Sequence, residues 1–202
     1  DHEWEGYGRQ KSFAVGQATH DWVICIDADE IVGPALRASI ERALADPAFR
    51  AYEMARCNRF MGAWLRHGEG YPDWILRLFD RRAARWSDDP VHEKVVTEER
   101  VGRLDGDLLH ESAETLHSYL EKQNLYTTLQ AQALYRNGIR PSAAKLVLSP
   151  LFRFLKFYLL RGGFIDGVPG LVHVSIGCFS SFSKMAKLSA LWRKAERTPP
   201  TA

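Results

Sequence analysis

The sequence predicts an α/β fold followed by a helical region, and three observations carry that reading. An apolar strand, Trp22-Val23-Ile24-Cys25-Ile26, ends abruptly in Asp27, Asp29 and Glu30 and leads into a helix opened by Gly33-Pro34. Alternating apolar and polar residues in Tyr52–Arg56 and in Ile75–Phe79 describe two more strands. The charge then changes sign along the chain. Residues 1–135 carry 16 Lys and Arg against 23 Asp and Glu, whereas residues 136–202 carry 11 against 2.

Taken in order, residues 9–18 read as a short helix feeding the first strand. The helix after Gly33-Pro34 places Leu36, Ile40 and Leu44 on one face at a spacing of four and stops at Asp46-Pro47. A loop rich in glycine and aromatic residues, 61–74, separates the two alternating strands. Trp86 and Val91–Val96 form a further strand pair. Ser112 is a suitable N-cap for a helix carrying Leu116, Leu120, Tyr126, Leu129 and Leu134, which ends at Asn137-Gly138.

A chain of 202 residues, 46% hydrophobic and 26% charged, is ordinary for a globular protein and excludes a disordered or fibrous class. Three widely spaced cysteines, Cys25, Cys57 and Cys178, indicate neither a disulfide framework nor a zinc site, which fits a reducing cytoplasm. The chain starts at Asp1 without an initiator methionine or a secretory signal, as if it had been cut from something longer.

The acid run carries the chemistry. Carboxylates crowded at the carboxyl edge of a sheet repel one another unless a cation sits among them. Open α/β sheets bind ligands at that edge. A hard divalent ion with oxygen ligands, Mg²⁺ or Mn²⁺, bridging a nucleotide diphosphate is the expected guest.

Five segments in order, Gly6–Lys11, Asp21–Glu30, Tyr71–Phe79, Val91-His92-Glu93 and Phe164–Gly170, resemble glycosyltransferase family 2. Within it they resemble the bacterial branch that adds sugars to the lipopolysaccharide core, often described as β-1,4-glucosyltransferases. The resemblance implies a GT-A fold, a Rossmann-like sandwich here lacking its first strands and so the uridine-contacting residues. It divides the chain into a distal catalytic part, 1–115, and a helical region, 116–202. Asp29 would be the main metal ligand, with Asp27 near the metal or donor ribose, and His110 would complete the metal shell. Glu93 would be the base that takes the acceptor proton in an inverting transfer, with Asp73 as second candidate or acceptor-orienting group. Gly68 and Gly70 belong to a loop that would approach the donor sugar, with Trp64, Tyr71 and Trp74 able to stack on sugar rings. Lys11 and Arg77 would neutralise the diphosphate, or else form surface ion pairs. Glu30 reads as a solvated turn.

In the helical region, aromatic and leucine residues interleave with Arg153, Lys156 and Arg161, the pattern of an interfacial helix on an anionic membrane. The apolar stretches around 146–160 and 164–182 are broken by charge, Asp166 and Pro169, which argues against a transmembrane helix; a buried helical cap is the other reading. The expected partners are therefore a nucleotide-sugar donor, plausibly UDP-glucose, a lipid-linked glycan acceptor and the cytoplasmic face of a bacterial inner membrane, with no nucleic acid. Two rivals remain at this stage: a haloacid-dehalogenase-like phosphohydrolase, with Asp27 as nucleophile, and a non-catalytic peripheral membrane protein.

Overall fold

The computed structural model describes residues 3–88, 93–111 and 115–197. The chain forms two compact units, one of residues 1–58 and 72–111 and one of 59–71 and 112–202.

The first unit is built on a mixed sheet. Its strands are β1 (Trp22–Ile24), β2 (Glu30–Val32), β3 (Ala51–Phe60), β5 (Asp73–Asp80) and β8 (Val101–His110), in the order β1-β5-β3-β8-β2. Between them in sequence lie β4 (Ala63–Trp64), which pairs with the end of β3, and β6 (Ala84–Trp86) with β7 (Val95–Thr97), a separate antiparallel pair. β3 and β8 run parallel, and the other pairs are antiparallel. Alternation along β5 sends Leu78 to one face and Phe79 to the other. Leu78 packs with Leu36, Tyr52, Met54, Leu104 and Leu108 beneath α2 (Pro34–Ala45). Phe79 packs with Ala51, Ala84, Trp86 and Val95, against which Val15 of α1 (Tyr7–Gly16) also leans. Each fully buried Leu or Phe contributes about 1.5–3 kcal/mol.

The topology gives the acid run its place. β1 and β2 occupy opposite edges of the sheet, so residues 25–29 must cross its end. Cys25 N still donates to the Arg77 carbonyl, and the Asp29 carbonyl accepts from Glu111 N. The four backbone steps between them reach at most about 14 Å, whereas four flat interstrand spacings measure about 19 Å. The sheet curls, and the acids lie across the end of its strands. The strand expected to continue to Ile26 ends at Ile24, with one further bond from Cys25 N to the Arg77 carbonyl before the crossing begins.

The second unit is helical. α3 (Leu116–Arg136) is capped by Thr115, whose hydroxyl accepts from Ser118 N at 3.1 Å; Ser112, the expected cap, lies outside the described residues. It ends at Asn137, with Gly138 at φ 70°, as the sequence predicts. α4 (Ala143–Phe154) continues into a π-helical stretch, Leu155–Leu160, and neither contains a fully buried residue. Pro150 inside α4 lacks the amide that would bond back one turn. A 3₁₀ turn, Gly163–Asp166, leads into α5 (Gly167–Arg197). Pro169 breaks nothing, because it falls in the first turn of α5, where a missing N–H costs little. The helix Gly163–Glu196 is consequently long and apolar enough, by length and composition, to cross a membrane.

Candidate active site

The crossing segment is fixed from below by a residue that the sequence reading placed in solvent. Glu30, the first residue of β2, has a fully buried side chain. Its Oε2 accepts the Asp27 amide at 2.9 Å, and its Oε1 lies 3.1 Å from Arg77 Nη2 and 3.7 Å from Arg56 Nη1. A buried carboxylate needs such partners, since an unpaired one would lose its hydration without return. Glu30 is thus the internal strut of the acid turn, and its burial corrects the expectation of a solvated position.

Arg77 reaches this strut from β5. It is 6% exposed, so it is no surface ion pair, and its Nη2 also donates to Asp27 Oδ2 at 2.7 Å. Its Nε is buried without a partner among the described residues. Lys11, on α1, stands 3.0 Å from Asp27 Oδ1 and 3.6 Å from Glu93 Oε1. Lys11 and Arg77 both lie over the Trp86 ring, at 4.7 and 5.5 Å. Burial alone pushes the Asp27 carboxyl up; Arg77 and Lys11 outweigh it and hold the group below the ordinary carboxylate range. Asp73, at the start of β5, takes Arg56 Nε at 2.9 Å and Nη2 at 2.6 Å on one oxygen.

Lys11, Asp27, Arg77 and Glu93 therefore line one cavity of about 400 Å³, with Arg56, Trp74 and Trp86 in its wall. Gly8 lets α1 pass close to Ser87: a Cβ there would stand 2.5 Å from the Ser87 carbonyl, with the Glu93 Cβ in ordinary contact at 3.4 Å. His92 lies outside the described residues. A larger cleft of about 550 Å³ holds Arg50, Arg81, Arg82 and Arg85, but Asp80, Asp21 and Glu99 already engage Arg50 and Arg82 there.

Asp29 faces elsewhere. Its Oδ2 lies 3.2 Å from His110 Nε2, and Asn58 Oδ1 accepts from His110 Nδ1 at 2.8 Å. Pairing across the sheet puts all three together, because Glu30 opposes His110 and Asn58 opposes His110 from β3. With Nδ1–H donated to Asn58, Nε2 and Asp29 Oδ2 present two ligand atoms side by side. A neutral imidazole held by a hydrogen bond at its other nitrogen is the usual form of a metal ligand. Asp29 and His110 thus fit a divalent ion as a two-ligand set, although no three His, Cys, Asp or Glu side chains converge as a metal cage among the described residues. Mg²⁺ and Mn²⁺ take their remaining ligands from phosphate and water, so two protein ligands suffice. Asp27 is already committed to Arg77 and Lys11.

Gly68 and Gly70 belong to the second unit. Gly68 is at φ 69°, and both glycines are buried under their own surroundings, Gly163 for the first and Leu65 for the second. Of the aromatic residues, Trp64 lies under Arg59 and Trp74 under Arg103, and the Tyr71 carbonyl accepts from Arg161 Nη2.

No protein-family model matches the chain. Among known proteins, it is 32% identical over 188 residues to the lipopolysaccharide core biosynthesis glycosyltransferase LpsC of Rhizobium meliloti, covering 92% of this chain and 70% of that protein. It is 28% identical over 204 residues to an uncharacterized glycosyltransferase, RT0209, of Rickettsia typhi, covering 95% and 70% of the two chains. A counterpart in Rickettsia prowazekii, RP128, is also 28% identical, over 205 residues, covering 96% and 70%.

Proposed function

Because this chain belongs to the glycosyltransferases, we propose that it is an inverting family 2 enzyme of GT-A type. It moves a hexose from a nucleotide sugar, UDP-glucose in the first instance, to a hydroxyl of a lipopolysaccharide-core or other lipid-linked glycan at the cytoplasmic face of the inner membrane. The observation that supports this most is Lys11 standing between Asp27 and Glu93, which puts a cation, a donor-side acid and a candidate base in one cavity.

Glu93 takes the proton of the acceptor hydroxyl as that oxygen attacks the anomeric carbon from the face opposite the leaving diphosphate. Its side chain is 21% exposed, open enough for an acceptor to reach. Lys11 and Arg77 draw the donor phosphates toward the acid turn, Lys11 as a point charge and Arg77 through its planar guanidinium. Asp73 holds Arg56 at the cavity wall and orients the acceptor. Asp29 and His110 would hold Mg²⁺ or Mn²⁺, which supplies charge neutralisation for the departing nucleoside diphosphate.

The test is transfer and slow donor hydrolysis across a panel of UDP- and GDP-sugars, with and without Mn²⁺, for the wild type, Glu93→Gln and Asp29→Ala. Turnover that needs Mn²⁺ and falls in both variants supports the reading. Undiminished activity of Asp29→Ala overturns the metal assignment, and undiminished activity of Glu93→Gln overturns the base.

A further inference from the structure

The second unit leaves its most apolar segment uncovered. Phe152, Leu160, Phe164, Ile165 and Val168 are 66, 83, 52, 59 and 65% exposed, in consecutive elements of which the π helix and 3₁₀ turn pack on each other. Large apolar side chains exposed close together along the chain mark an interaction surface more often than singly scattered ones do. Charge identifies what covers it. Residues 136–202 hold eleven Lys and Arg and two acids; Asp166 is held by His67, Arg140 pairs with Glu196 at 3.5 Å and Arg153 with Glu69, and a cationic excess remains. A second copy would bring like charges face to face. Lys156 and Arg161 lie over the Phe157 ring, at 5.1 and 5.6 Å, so apolar body and cationic head sit side by side as they do at a lipid interface.

The inner side of the same turn grips the loop 66–71. The Asp166 side chain is 6% exposed; its Oδ2 accepts from the amides of Arg66 at 3.0 Å and His67 at 2.9 Å, and its Oδ1 lies 2.7 Å from His67 Nδ1. Gly68 N donates to the Arg161 carbonyl at 2.9 Å, and Arg161 Nη2 donates to the Tyr71 carbonyl at 2.9 Å. Gly68 lies so close to Gly163 that a Cβ on it would stand 3.0 Å from the Gly163 Cα, and Gly170 is pressed still more tightly against the Gly163 carbonyl. Arg161-Gly162-Gly163 and the Phe164–Gly170 motif that follows it form one side of this joint, and loop 66–71 forms the other.

We propose that residues 155–168 are the protein's contact with an anionic lipid bilayer, and that the joint holds loop 66–71 at the membrane surface, where the sugar end of a lipid-linked acceptor is presented. The acceptor part rests on the glycosyltransferase reading above; the bilayer contact does not. The rest of α5 is packed into the helical unit and is not the bilayer contact, because its Lys187 is bonded to Asn124, Thr127 and Thr128 of α3 and its Val174 and Leu188 are buried in the fold.

Vesicles of phosphatidylglycerol and phosphatidylethanolamine, against phosphatidylcholine alone, test this with the whole chain by co-sedimentation and amide hydrogen exchange. Binding to the anionic vesicles should fall about tenfold or more in Leu160→Asp/Phe164→Asp. It should also weaken with salt and in Lys156→Glu, and stay unchanged in Leu125→Asp, an exposed leucine outside the segment. Vesicles should slow exchange in 155–168 and in 66–71 together. Absence of binding, equal binding of the double aspartate variant, retention through alkaline carbonate extraction, or a dimer in solution that Leu160→Asp dissolves would each overturn the proposal. Donor hydrolysis measured without vesicles reports separately on the catalytic reading.

Discussion

The carboxylate of Glu30 accepts the backbone amide of Asp27 at 2.9 Å, so the shape of the acid turn is set by a side chain buried beneath it. The same carboxylate neutralises Arg77, which in turn reaches Asp27. Removing one member of a buried charged network leaves the others unpaired, at a cost of about 3–5 kcal/mol. Glu30→Ala should therefore lower the unfolding free energy by about 3 kcal/mol in urea titration. Glu30→Gln keeps an oxygen for the Asp27 amide and should lose less. Equal stability of Glu30→Ala and the wild type would remove Glu30 from its structural role.

Glu93 stands 3.6 Å from Lys11 and is not required by any core contact of the sheet. A base acting only in the transition state affects turnover and not binding. Glu93→Gln should lower kcat by about 10²–10⁴ while leaving the donor KM and the unfolding midpoint near wild type. Steady-state transfer assays with a saturating acceptor separate these quantities. A change confined to KM would make Glu93 a binding group.

Sequence patterns that depend on neighbours in the chain were legible. The Gly33-Pro34 start, the spacing of Leu36 and Ile40 and the Asp46-Pro47 stop bound α2 closely, and the Asn137-Gly138 stop bounds α3. β8 was not legible, since Gly102, Asp105, Gly106 and Asp107 are poor strand formers. Packing decides there: a Cβ on Gly102 would stand 2.6 Å from Phe49 and 2.7 Å from Tyr52, so only glycine lets β8 lie beside β3. The candidate site divides in the same way. The acids of the turn are visible as a motif, whereas Glu30 acquires its role from Arg77, 47 residues away, and Asn58 acquires its role from His110, 52 residues away.

Asn58 carries a prediction of its own. By accepting from His110 Nδ1 it turns Nε2 toward Asp29. Outer hydrogen-bond partners of metal-ligating histidines typically contribute 10–100-fold to metal affinity. Asn58→Leu should raise the Mn²⁺ concentration needed for half-maximal activity by about that factor, and Asn58→Asp, which keeps an acceptor oxygen, should raise it less. Direct Mn²⁺ titration by electron paramagnetic resonance gives the same comparison without turnover. An unchanged Mn²⁺ response in Asn58→Leu would detach His110 from the metal.

His173 in α5 gives the helical unit a stability that depends on pH. Its Nε2 lies 3.2 Å from the Tyr119 hydroxyl and its ring 5.2 Å from Phe60. Burial, reinforced by the charge of Arg153 and opposed by Asp166, pushes the imidazole down to about 4. Between that value and the ordinary 6.5 the unfolded chain binds a proton that the folded chain does not, so unfolding becomes easier as pH falls. From pH 6.5 to 5 the loss from this group should be about 2 kcal/mol, at 1.36 kcal/mol per unit. His173→Gln has no ionisable group to charge. Urea unfolding at pH 6.5 and 5 should show the wild type losing about 2 kcal/mol more than this variant, and parallel losses in the two proteins would show that His173 is free to protonate in the folded state.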